Sequence, residues 1–93
     1  MAHRFKWDLK KAGSNLRKHG VSFEEASTVF GDPLVILTLD PDHSEDESRY
    51  LIPGFSNHQR LVVVAFAERA PRTRLISAGR ATRLERRRYE EEA

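Results

Sequence analysis

The chain has 93 residues, 39% of them apolar and 32% charged, which suits one globular domain (1–93) with a modest core and a highly charged surface. It has no cysteine, which excludes disulfides and thiolate chemistry, and no apolar run approaches the ~20 residues of a membrane helix. A net charge of +2 conceals a strong polarity: Asp40 to Glu47 is acidic, whereas Arg69 to Arg88 holds eight arginines against one acid, Glu85.

In chain order, Phe5-Lys-Trp7 alternates as a short strand would. Asp8 can N-cap a helix running to about His19, with Leu9, Ala12 and Leu16 on one face and Gly20 as the stop. Ser22-Phe-Glu-Glu25 reads as a capping box, with the Glu25 carboxylate reaching back, and opens a helix whose stripe is Phe23, Ala26, Val29 and Phe30. Gly31-Asp-Pro33 ends it. Leu34 to Leu39 is a β-type run, and Asp40 to Glu47 a polar turn or loop. Arg49 to Phe55 alternates as a strand, but Pro53 cannot donate to a ladder and implies an edge, a bulge or an irregularity. Ser56 to Gln59 is a hairpin connection, and Leu61 to Ala67, the most apolar run, is a central strand. Thr73 to Ala78 forms a further strand, and Thr82-Arg-Leu-Glu85 is a second capping box, opening a C-terminal helix that includes Tyr89.

These elements compose an α+β fold: two N-terminal helices, a small antiparallel sheet of three to five strands, and a C-terminal helix. The N-terminus has no apolar stretch of the signal-peptide kind, so a cytoplasmic location is expected.

The chemistry available is that of charge. The histidines at 3, 19, 43 and 58 are scattered without ligand spacing, so no metal and no cofactor is expected. There is no Walker loop, dinucleotide glycine pattern or nucleophile elbow. Cleaving RNA without a metal requires a base for the 2′-hydroxyl, cations for the phosphorane and an acid for the leaving 5′-oxygen. His19, His58, Glu68 and Glu85 can move protons, and Lys18, Arg49, Arg69, Arg74, Arg80 and the C-terminal arginines can clamp phosphate. Tyr89 can stack on a base or donate a proton. Each also has an ordinary structural reading: Lys18 and His19 complement a helix C-terminus, the helix arginines are solvated, and Leu84 and Tyr89 form a core stripe.

Phe5-Lys-Trp-Asp8, Asn15-Leu-Arg-Lys-His-Gly-Val-Ser-Phe-Glu-Glu-Ala26, Asp32-Pro33, Asp40-Pro-Asp-His43, Arg60-Leu-Val-Val-Val64, Glu68-Arg69, Arg74-Leu-Ile-Ser-Ala78 and Arg80-Ala-Thr with Glu85 and Tyr89 resemble the BrnT toxin family almost end to end. The resemblance implies a RelE-like fold and a type II toxin whose ribonuclease activity halts translation. It also implies a BrnA-type antitoxin with a ribbon-helix-helix part, which masks the toxin and links it to operator DNA. On that pattern Lys18, His19, Arg49, Glu68, Arg80 and Tyr89 are the candidate catalytic residues, gathered on one face, with His19 or Glu68 as base. Arg69, Arg74, Ser77, Arg83 and Arg87 are candidate RNA contacts. Two positions depart from the family: Gly79 stands where arginine generally follows Ile-Ser-Ala, and Pro53 where a β-forming residue is usual. Loss of the arginine leaves a second reading, a weakened module acting through antitoxin or nucleic-acid binding. A third, direct DNA binding by the last helix, is opposed by the acidic run Glu90-Glu91-Glu92.

Overall fold

The computed structural model describes residues 4–31, 38–39, 49–69 and 71–92. The expected acidic loop, with His43, and most of the Leu34 to Leu39 run lie outside them. The elements are β1 (Phe5–Lys6), α1 (Leu9–His19), α2 (Phe23–Thr28), a 3-10 turn (Val29–Gly31), β2 (Thr38–Leu39), β3 (Arg49–Phe55), β4 (Leu61–Arg69), β5 (Arg72–Arg80) and α3 (Arg83–Glu92). The strands form one five-stranded sheet in the order β1-β5-β4-β3-β2. The α+β architecture follows the sequence expectation, with one refinement: β1 pairs with β5 in parallel, while the other pairs are antiparallel.

Local chemistry sets the boundaries. Asp8 accepts hydrogen bonds from the backbone of Lys10 and Lys11 at the start of α1, and Gly20 ends it in the left-handed region at φ 70°. Thr82 and Glu85 make both bonds of the capping box on α3, at 3.1 and 2.8 Å. The box expected at α2 is only half made. Ser22 Oγ accepts from the Glu25 N–H at 3.0 Å, but the Glu25 carboxylate turns inward instead of back to Ser22. Arg60 binds it in bidentate fashion, Ser56 Oγ donates to it at 2.6 Å, and His58 Nδ1 lies 3.3 Å away. Arg60 also donates to the Gly20 carbonyl at 3.0 Å, so one arginine ties the end of α1 to α2 and to the β3–β4 hairpin. Arg60 and Ser56 together hold the Glu25 carboxyl below its ordinary range against the opposing effect of burial.

The core lies between α1 and α2 and one face of the sheet. Phe23, Ala26 and Val29 meet Ile52, Val62, Val64, Phe66, Leu75 and Ala78, with Phe30 set edge-on against Phe66 at 4.9 Å. Strict alternation would place Leu75 and Ala78 on opposite faces. A register shift in the β4–β5 ladder, where Ala65 pairs with Ser77 and Phe66 with Leu75, leaves Ile76 as the extra residue. The bulge puts both Leu75 and Ala78 into the core. The stripe expected on α1 is corrected as well: Leu9 is 82% and Leu16 51% exposed, and the buried residue of that helix is Asn15. Pro53 sits within β3 opposite Val63, beyond the described β2 pairings at Tyr50 and Leu51. Among the described residues, no helix is long and apolar enough to cross a membrane.

Candidate functional site: the open face of the sheet

The other sheet face carries a different set of residues. From β3 it takes Arg49, Leu51, Pro53 and Phe55; from β4, Leu61, Val63, Ala65 and Ala67; from β5, because of the bulge, Arg74, Ser77 and Gly79. Helix α3 covers one end of this face. Tyr89, 5% exposed, meets Phe55 edge-on at 5.7 Å, and Leu61 beneath is 2% exposed. At the other end Arg49 and Arg74 flank the buried Ala67 on its two neighbouring strands. Their backbones are thus two strand spacings apart, roughly 10 Å.

Between these ends lies an open depression of about 220 Å³, lined by Leu51, Val63, Ala65, Ser77, Gly79, Arg80, His19 and Glu85, with the Ala78 backbone. Its floor is three half-buried aliphatic side chains, unusual company on so charged a surface. His19 reaches it from the last turn of α1. That turn is fixed at β5 by Asn15, whose amide accepts from the Ala78 N–H at 3.0 Å and donates to the Ala78 carbonyl at 2.8 Å and the Val21 carbonyl at 2.9 Å. Asn15 thereby imitates a neighbouring strand on the edge of β5 beyond β1, which pairs only with Thr73 and Arg74. Glu85 comes from the first turn of α3, where its Oε1 accepts from the Thr82 N–H.

Gly79 belongs to this wall. It does not need a glycine backbone, since Gly20 is the only described glycine at positive φ. A Cβ at 79 would meet nothing nearer than the His19 ring at 4.0 Å. The missing side chain therefore leaves space in the depression.

Of the residues singled out from sequence, the depression brings together His19, Ser77, Arg80 and Glu85. Arg49 and Arg74 lie farther along the same face. Lys18 is exposed beside His19 but is not in the lining. Two candidate catalytic residues do not join the gathering expected of them. Glu68 follows Val64 and Phe66 on the helical side of β4, where the Thr73 hydroxyl donates to it at 3.1 Å. Tyr89 is packed under α3. Arg83 and Arg87 are exposed on α3. Arg69 pairs with Arg72 at the end of β4, and its side chain lies outside the described residues. Sequence reasoning did not find the aliphatic floor, because Leu51, Val63 and Ala65 read as ordinary strand residues. It did not find the role of Asn15, because a polar residue inside an amphipathic helix gives no sign of what it faces.

Comparison with known proteins agrees with the fold. The crystal structure of the Brucella abortus ribonuclease toxin BrnT is similar in fold, with a TM-score of 0.64 and 20% identity over 87% of this chain and 99% of that one. No curated protein matches the chain in sequence. The model of the family described as ribonuclease toxin, BrnT, of type II toxin-antitoxin system matches residues 7–85, and with that match over most of its length the chain belongs to the BrnT family of ribonuclease toxins.

Proposed function

We propose that this chain is a metal-independent endoribonuclease that halts translation by cutting RNA on the open face of its sheet. The observation that carries the reading is the meeting of His19, Ser77 and Arg80 around one depression, with Arg49 and Arg74 continuing the basic track along the same face. His19 can accept a proton and shares the depression with Arg80, the two kinds of group that transfer of the 2′-hydroxyl proton and neutralisation of the phosphorane require. His19 takes the 2′-hydroxyl proton. The 2′-oxygen then bonds to phosphorus and the bond to the 5′-oxygen breaks, and the proton held by His19 passes through water to the leaving oxygen, giving a 2′,3′-cyclic phosphate and a 5′-hydroxyl. Arg80, with Lys18 and Arg49, stabilises the dianionic phosphorane. Ser77 donates to a phosphate oxygen, and Arg69, Arg74, Arg83 and Arg87 hold flanking phosphates. Tyr89 anchors α3.

Membership of a type II toxin family implies an antitoxin partner. The partner we assign is a BrnA-type ribbon-helix-helix protein, through which alone the toxin reaches operator DNA, and the toxin acts in the cytoplasm. Cleavage of a labelled single-stranded RNA by the parent chain and by Lys18→Ala, His19→Ala and Arg80→Ala tests the scheme. Each substitution is expected to lower the rate at least about tenfold, within the roughly 10²–10⁴-fold typical of acid–base groups for His19. Full activity in His19→Ala and Arg80→Ala, or loss of cleavage on adding a chelator, would refute it. Gly79 favours one second reading, a weakened toxin that acts by binding. A Cβ at residue 79 meets only an ordinary contact with His19, so Gly79→Arg discriminates: a gain of growth arrest marks a crippled enzyme, and no gain marks a binding role.

A further inference from the structure

We infer that the depression is a base-selective subsite that takes one guanine of single-stranded RNA. The inference rests on the ribonuclease reading for its substrate class, but its evidence is the chemistry of the walls. At about 220 Å³ the depression is smaller than the roughly 300–1,000 Å³ of sites for drug-sized ligands, and it suits a single base. Its floor of Leu51, Val63 and Ala65 offers an apolar platform to a flat ring, and the gap at Gly79 beside the His19 imidazole gives the ring an edge to slide against. RNA-binding proteins read unpaired bases in this manner, by packing one face and hydrogen-bonding the Watson–Crick edge.

The edge is read by Glu85. A carboxylate is acceptor-only, with about four lone-pair sites, and the Thr82 N–H at 2.8 Å occupies one of them on Oε1. Two side-by-side acceptors match two side-by-side donors. Among the four bases only guanine presents such a pair, N1–H and the N2 amino group. Adenine and cytosine each place an acceptor beside their amino group, and uracil has a single donor between two acceptors. Arg80, on the same rim, can donate to guanine O6 or to the adjoining phosphate. The capping box aligns the carboxylate before RNA arrives, because the bond to Thr82 that starts α3 also fixes the Glu85 rotamer.

The test is binding of 3′-GMP and 3′-AMP to the full chain, followed by NMR shifts of the Leu51 and Val63 methyl groups. Guanine is expected to bind on the order of tenfold more tightly than adenine, the discrimination of one good bidentate contact. Glu85→Gln is the informative variant. Glutamine also completes a capping box, so α3 persists, but with its oxygen on Thr82 it turns an NH₂ donor towards guanine's donors. The preference for guanine should vanish or invert, with an unchanged melting temperature. Thr82→Ala removes the other half of the cap and leaves the carboxylate, so it should keep the preference. Equal binding of the two nucleotides by the parent chain, shifts that avoid Leu51 and Val63, or an undiminished guanine preference in Glu85→Gln would overturn the inference. Failure of the chain to cut RNA while it still selects 3′-GMP would instead overturn the enzymatic reading and leave the subsite standing.

Discussion

Replacing Asn15 by alanine removes three hydrogen bonds at once, two donated by Nδ2 to the Val21 and Ala78 carbonyls and one accepted from the Ala78 N–H. Val21 is 0% and Ala78 2% exposed, so the abandoned backbone groups gain little from solvent. At a net cost of about 1 kcal/mol per bond, the loss is about 3 kcal/mol, a large part of the roughly 5–10 kcal/mol expected of a domain this size. That corresponds to a fall of roughly 12–24 °C in melting temperature. Asn15→Asp is the sharper probe, since it preserves shape and the acceptor for Ala78 N–H but points an anionic oxygen at two carbonyls. Burial and those carbonyls push the introduced carboxyl up in the folded state. A group whose folded pKa is raised contributes stability below its unfolded value, and that contribution is lost as pH rises through the folded value. Asn15→Asp should therefore be severely destabilised at pH 7 and recover as pH falls towards 5. Urea unfolding followed by circular dichroism, at both pH values, measures this. If Asn15→Ala lies within about 0.5 kcal/mol of the parent, or Asn15→Asp shows no recovery in acid, Asn15 does not brace the β5 edge.

Glu25→Ala should cost about 2 kcal/mol by thermal or urea unfolding, less than the ~3–5 kcal/mol of a wholly buried pair because Arg60 remains 28% exposed and can find water. Since the folded-state pKa of Glu25 is lowered from 4.5, its contribution is present above that value and disappears as pH falls through the folded value; the parent should lose stability below about pH 4.5, and Glu25→Ala should lose less. Gln59 holds a left-handed conformation at φ 60° in the β3–β4 turn, so Gln59→Gly should stabilise by about 0.5–1 kcal/mol, seen as a rise of several degrees in melting temperature. Gly79→Arg should fold at least as stably as the parent, by up to about 0.5 kcal/mol, since it removes a strand glycine and its Cβ meets only an ordinary contact; a drop of 2 kcal/mol or more would show that the space at 79 is illusory.

The helices and strands were legible because their signals are local. Asp8, Gly20, Ser22, Thr82 and Glu85 act within four residues of themselves, and the apolar alternation of β4 needs no partner to be recognised. What escaped depends on contacts distant in sequence. Glu25 satisfies the pattern of a capping box, yet an arginine 35 residues away outcompetes its own helix N-terminus for the carboxylate. Leu9 and Leu16 have core spacing, but α1 presses Ala12 and Asn15 towards the sheet and leaves both leucines outside. Two acids stood as candidates for proton transfer, Glu68 and Glu85, and the capping-box pattern of the second does not say which surface it faces. Strand pairing sends the first to the helical side and the capping box holds the second at the open depression.

The bulge at Ile76 joins fold to site. One extra residue in β5 lets Leu75 and Ala78 both serve the core, and the same half-turn places Arg74, Ser77 and Gly79 together on the open face. Asn15 then holds the strand just past the bulge, at Ala78, so His19 and Gly79 are positioned by a single side chain. Gly79 is thus not a concession to backbone geometry: its φ is ordinary and a Cβ fits. What it supplies is vacancy, between an imidazole and a carboxylate, over an aliphatic floor. An arginine at that position would extend a cation into the same space, which Glu85 also lines. On the proposed ribonuclease reading, the residue at 79 therefore decides whether the open face presents one more charge to phosphate or a recess to a base.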